Sequence, residues 1–163
     1  MSRRASAAGL SSLAFVAAIC VAGCASPAPP PPPKPTTVAA VVSTATDVNP
    51  DAERRASPVM LRIYELSSRA TFESADFVSL FERDAQVLAG DMVAHEEWVM
   101  APGETRHWNK KLPPETKFIG VTAAYRNIEE ARWRAVVAVQ PHATNTLAIR
   151  ADALVVSASA SAR

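Results

Sequence analysis

From Val38 onward, hydrophobic and polar positions mostly alternate with a period of two. Successive strand side chains point to opposite faces, so this period predicts strands with one buried side. Val38-Ala39-Ala40-Val41-Val42 is a short apolar run that reads as a first strand. Asp47–Ser57 then loses all periodicity and carries Asn-Pro and five charged residues, the composition of an exposed loop. From Pro58 the alternation is clean, with Val59, Leu61 and Ile63 on one face and Arg62 and Tyr64 on the other. The period switches once. Phe77, Leu80, Phe81, Val87 and Leu88 follow helical spacing with Glu82, Arg83 and Gln86 opposite, which predicts a helix over Ala75–Ala89 with Phe72 packed nearby. Ser74 or Asp76 is placed to cap its start, and Gly90 to end it in the left-handed conformation.

The strand pattern then returns. Met92–Met100 and Thr105–Leu112 flank Ala101-Pro102-Gly103-Glu104, which reads as a hairpin turn. After Pro113-Pro114, the mostly apolar Phe118–Tyr125 suits a central strand. Asn127–Glu130 turns, and Trp133, Ala135, Val137 and Val139 share a face, which makes Trp133 a core residue. Pro141–Asn145 turns again before Leu147, Ile149 and Ala151, and Leu154–Val156 either extends that strand or forms another. The small, polar tail is expected to be disordered. Seven or eight short strands at regular intervals predict a mainly β, two-sheet sandwich, its single helix covering an end or an edge.

The segment before the domain has another character. Arg3 and Arg4 precede an apolar run from Leu10 to Val21, the length of a secretory signal and too short to span a bilayer as a helix. Val21-Ala22-Gly23-Cys24 follows, slim enough at Ala22 and Gly23 for a membrane peptidase, with the Cys24 thiol as acceptor for a diacylglyceryl group. This resembles a bacterial lipobox; an ordinary secretory signal with a cysteine beside its cleavage site is the alternative. Ala25–Thr37 holds seven prolines in thirteen positions, favouring an extended polyproline II spacer with a reach of about 40 Å. A ligand for a proline-binding domain is the competing reading of that stretch. The expected organisation is therefore a signal peptide over 1–23, a lipidated cysteine and linker over 24–37, a sandwich over 38–157 and a tail over 158–163.

Cleavage before Cys24 removes Arg3 and Arg4 and leaves 15 of the 17 basic residues against 16 acidic ones. That balance gives no electrostatic reason to expect nucleic acid or an anionic membrane as partner. Cys20 leaves with the signal and Cys24 is blocked, so no thiol remains for a disulfide, a metal or redox chemistry. About 120 residues follow the linker, enough for one core. The chain has no Gly-x-Ser-x-Gly elbow, no His-Glu-x-x-His pair and no phosphate-cradling glycine loop. No enzyme activity, cofactor or small-molecule substrate is expected. His95 and His107 facing each other across the hairpin, near Glu97 or Met100, form the one conceivable metal site.

Several blocks are similar to the type VI secretion outer-membrane lipoprotein family (SciN/TssJ type). They are Leu61-Arg62-Ile63-Tyr64-Glu65-Leu66, then Phe72 with Ala75-Asp76-Phe77, and Leu88. Asn49-Pro50-Asp51 ahead of Ser57-Pro58, Pro102-Gly103, the Phe118–Arg126 block and Trp133-Arg134 complete the resemblance, which covers Val38–Val156. It implies a transthyretin-like sandwich with one added helix, lipid-anchored on the periplasmic face of the outer membrane. It also implies docking on the periplasmic domain of an IcmF-like inner-membrane protein through the loop between the first two strands. Here that loop carries Asp47, Asn49, Asp51, Glu53, Arg54 and Arg55, with Pro50 and Pro58 lowering the ordering cost of binding. Ala25 and Ser26 after the cysteine, with no aspartate, fit outer-membrane sorting. A periplasmic ligand- or metal-binding lipoprotein, or a pilotin for another envelope machine, are the alternative roles.

Overall fold

The computed structural model of the chain describes residues 30–160, so the signal, Cys24 and Arg163 lie outside the described residues. Eight strands are present: β1 (Thr37–Thr44), β2 (Val59–Leu66), β3 (Met92–Met100), β4 (Thr105–Lys111), β5 (Phe118–Ala124), β6 (Arg134–Ala138), β7 (Thr144–Ala151) and β8 (Val156–Ala160). They build the expected two-sheet sandwich, one sheet ordered β4-β1-β7-β8 and the other β3-β2-β5-β6. β1 runs parallel to β7, and the other ladders are antiparallel. Alternation decides what lies between the sheets. Val38, Ala40, Val42, Val59, Leu61, Ile63, Ile119, Val121, Ala123, Leu147, Ile149 and Ala151 all face inward and are at most 2% exposed.

A second layer covers the outer face of the sheet containing β2. Two helices, α1 (Ala70–Ser74) and α2 (Phe77–Leu88), bury Phe72, Leu80 and Leu88 against Tyr64 and Leu66. Gly120 on β5 makes room for them, because a Cβ there would stand 2.9 Å from both Leu66 Cδ1 and Phe72 Cζ. Asp76 caps α2, its Oδ1 accepting from Ser79 N at 2.9 Å. Near the middle of α2, Arg83 departs from helical geometry (φ −140°, ψ 32°), which interrupts the hydrogen-bond ladder. Arg62 on β2 makes good the interruption. Its Nη1 donates to the Leu80 and Phe81 carbonyls at 3.2 Å and to Asp84 Oδ2 at 3.1 Å, and Nη2 reaches Glu97 Oε2 at 2.6 Å.

Five expectations are corrected. The predicted helix starts two residues late and is preceded by the separate turn α1, because Asp76, in an extended conformation, caps a new helix instead of continuing the old one. The positive-φ residue at its end is Ala89 (φ 39°, ψ −114°) and not Gly90. Met92–Met100 and Thr105–Lys111 do not pair: β3 belongs to the β2 sheet and β4 to the β1 sheet, so the turn at Ala101–Glu104 is an arch between sheets. The arch lets Met100 and Trp108 both bury into the same interior. Finally, residues 158–160, expected in the disordered tail, continue β8 along β7, Ala160 pairing with Leu147. Val156 thus begins a separate strand. Trp133 is half-buried, edge-on to Phe77 at 5.2 Å, and packs against both apolar clusters instead of lying in one.

Candidate functional site

β1 ends at Thr44 and β2 begins at Val59, and the segment between them is built from the inside out. Val48 is fully buried and roots the loop in the core. Asn49 follows with φ 51°, a left-handed conformation that asparagine tolerates better than most residues. Its side chain donates to the Pro58 carbonyl at 2.7 Å and accepts from Arg126 N at 2.8 Å, while its own N–H donates to the Ala153 carbonyl at 3.0 Å. One residue thereby ties three loops together: its own, the one after β5 and the turn between β7 and β8. At 3% exposure Asn49 is scaffold, which corrects its expected place among the contact residues.

Asp51 organises the tip. Its Oδ1 accepts from the backbone N–H groups of Glu53 and Arg55 at 3.0 and 2.8 Å, and its Oδ2 from Arg55 Nε at 2.8 Å. The backbone N–H of Arg55, then its guanidinium and the Glu53 N–H, hold the Asp51 carboxyl below the ordinary carboxylate range. Arg55 also reaches Glu53 at 3.1 Å, and these two side chains are 74% and 67% exposed. Asp47 and Arg54 are exposed as well, Arg54 at φ 62°, and neither forms an ion pair among the described residues. The structure therefore brings Asp51, Glu53 and Arg55 together, sets Asp47 and Arg54 at the rim and buries Asn49. Arg126 is the neighbour that pattern reasoning missed. Its signal was its place at the end of the Phe118–Arg126 block, which says nothing of the loop it meets.

The far end of the sandwich holds the linker. Because β1 is eight residues long, its start and the charged loop lie roughly 25 Å apart at opposite poles. His142 N donates to Thr36 Oγ1 at 2.9 Å, and His142 Nδ1 lies 3.0 Å from the Lys34 carbonyl, so the linker is fastened to the body from Lys34 onward. A cleft of about 560 Å³ beside it is lined by Pro33, Lys34, Lys111, Leu112 and Pro114.

The proposed histidine pair does not form. His95 lies on β3, with Nδ1 3.3 Å from Asp84 Oδ2, and His107 lies on β4 in the other sheet. Among the described residues no group of three His, Cys, Asp or Glu side chains is arranged to hold a metal. No helix of the described residues is long and apolar enough to cross a membrane.

Residues 36–154 match the model of the family described as "Type VI secretion lipoprotein, VasD, EvfM, TssJ". The chain is similar to the crystal structure of the T6SS lipoprotein TssJ1 from Pseudomonas aeruginosa, at 34% identity and TM-score 0.76 over 79% of this chain and 98% of that one. It is also similar to Serratia marcescens Lip, "a membrane bound component of the Type VI Secretion System", at 23% identity and TM-score 0.71 over 79% of this chain and 99% of that one. A chain of the structure described as "T6SS protein TssM C-terminal domain (869-1107) from EAEC" matches at 23% identity and TM-score 0.63, over 77% of this chain and 99% of that one. Among curated proteins, none matches.

Proposed function

The chain belongs to the type VI secretion lipoprotein family, and from that premise we propose that it is the outer-membrane lipoprotein of a trans-envelope secretion complex. In this reading acyl chains on Cys24 hold it to the periplasmic face of the outer membrane. The loop Asp47–Ser57 docks on the periplasmic domain of an IcmF-like, TssM-type inner-membrane component. The family is one of secretion-system lipoproteins and not of enzymes.

The observation that carries the proposal is the opposition of the two poles. The linker enters at one end of β1, and a charged loop braced by Asn49 and Asp51 stands at the other. A domain tethered at one pole presents the other to a partner across the periplasm. Bracing lowers the ordering cost on binding, and exposed charges set specificity and association rate more than affinity. The docking arm is tested by calorimetry of the mature chain against the periplasmic domain of the TssM-type partner. Joint Arg54→Glu and Arg55→Glu reversal is expected to weaken binding and slow association while the fold stays intact. Unchanged affinity after both this reversal and shortening of the loop to a tight turn sinks the docking site. The anchor is tested separately, since one acyl chain binds only marginally and stable anchoring needs several. Radiolabelled palmitate is expected in the wild type and not in Cys24→Ser, with the wild type in the outer-membrane fraction.

A further inference from the structure

The sequence contains four lysines, Lys34, Lys110, Lys111 and Lys117, and all of them lie at the pole where the linker enters. Lys34 is in the fastened part of the linker, Lys110 and Lys111 end β4 opposite Val38 and Thr37, and Lys117 donates its N–H to the Leu66 carbonyl at the end of β2. The loop pole has only arginines. Several of these are held in ion pairs: Arg55 with Asp51 and Glu53, Arg106 with Glu104, and Arg150 with Asp152.

At the linker pole one lysine is likewise committed. Lys110 Nζ stands 2.6 Å from Oε1 of the buried Glu65 and 3.0 Å from Glu96 Oε1. Lys34, Lys111 and Lys117 are exposed and form no ion pair among the described residues. The acids nearby are Glu115, exposed in the turn before Lys117, Asp91, which accepts from Thr71 Oγ1 at 2.7 Å, and Glu73, 3.6 Å from Arg69. An ammonium is a compact point charge on a flexible stem, suited to a diffuse phosphate surface, whereas arginine suits fixed bidentate partners.

We infer that Lys34, Lys111 and Lys117 form a contact surface for an anionic phospholipid bilayer, settling the tethered domain on the membrane by its linker pole. The inference rests on the reading of Cys24 as the anchor. With the linker fastened from Lys34, only the nine residues Ala25–Pro33 remain as spacer, spanning about 28 Å as polyproline II. So short a tether keeps the lysines at high effective concentration near the headgroups, and weak attraction then suffices. A near-zero net charge does not oppose this, because screening over roughly 8 Å makes local placement decisive.

Residues from Pro32 onward form one unit that contains both apolar clusters, so a chain from Cys24 to Arg163 retains its whole core. This chain is coupled chemically through the Cys24 thiol to a maleimide lipid, which makes the test independent of lipidation in the cell and of any partner. Energy transfer from its tryptophans to a dansyl lipid is compared on phosphatidylcholine vesicles and on vesicles with 30% phosphatidylglycerol. Higher transfer on the anionic vesicles, abolished by 0.5 M salt, is expected. Joint Lys34→Gln, Lys111→Gln and Lys117→Gln replacement lowers the ratio of settled to free domain about a hundred-fold, roughly five-fold per lysine. Arg54→Gln with Arg55→Gln at the opposite pole leaves it unchanged. Equal transfer on both vesicle types, or anionic preference surviving the triple replacement, overturns the inference.

Discussion

Between the sheets, Leu61, Val121 and Ile149 are fully buried among other apolar side chains. Across the outer face of β2, by contrast, only Tyr64, Leu66, Phe72, Leu80 and Leu88 are fully buried, ringed by partly buried residues such as Val87, Phe118 and Trp133, and Arg62 adds directional contacts to Leu80, Phe81, Asp84 and Glu97. Arg134 does the same for α1, donating to the Phe72 and Ala75 carbonyls at 3.1 and 2.6 Å. One layer is held by area removed from water; the other is aimed by a few directional contacts over a small apolar base. The difference teaches that the helices can open without loss of the sandwich, since local opening follows the number of buried apolar contacts.

The largest effect should come from the inter-sheet core. Leu61→Ala is expected to cost about 2–5 kcal/mol, and fluorescence and circular dichroism should report one shared unfolding transition. Arg62→Met should come next, at roughly 2–3 kcal/mol, because it leaves the Asp84 carboxylate and two helix carbonyls short of a donor in a site only 13–14% exposed. Hydrogen exchange should accelerate in α2 while β1 and β7 keep their protection; uniform acceleration would show that the two layers are one cooperative unit. Gly120→Ala presses on Leu66 and Phe72 and should cost about 1–2 kcal/mol, with the loss again confined to the helix layer.

The smallest effect concerns Asp76. The Ser79 N–H and then the Ser79 hydroxyl hold its carboxyl below the ordinary carboxylate range. A depressed folded-state pKa means that the stabilisation is present above the unfolded value and is lost as pH falls through the folded one. Urea midpoints of wild type and Asp76→Ala should therefore differ most near neutral pH and converge in acid. A gap independent of pH would assign the cap to geometry alone.

Much of this arrangement was legible in the sequence. Alternation marked β2 and β7, short apolar runs marked β1 and β5, and helical spacing marked α2. Pairing was not legible at the arch. Pro102-Gly103 states that the chain turns, but a strand with Met100 inward reads the same whether Trp108 follows in the same sheet or the opposite one. Nor did the pattern reveal Glu65, a carboxylate 1% exposed on the inward face of β2, whose neutralising Lys110 arrives from another sheet 45 positions later. In the candidate site, loop length and charge found the right segment, but burial of Asn49 depends on Arg126 N and Pro58 O, which no local pattern announces.

The pairing of β1 also sets an order of events. Thr37 is matched with Lys111 on one side and Thr144 on the other, so the first strand of the domain receives its second neighbour only when nearly the whole chain is available. A chain made from its N terminus must keep one edge of β1 unpaired until then. Closing so long a loop is entropically costly before any contact rewards it, which places such topologies among domains that fold in roughly milliseconds to seconds. The same strand that separates the two poles thus keeps one edge unpaired until late, and an unpaired strand edge in that interval is a site of aggregation.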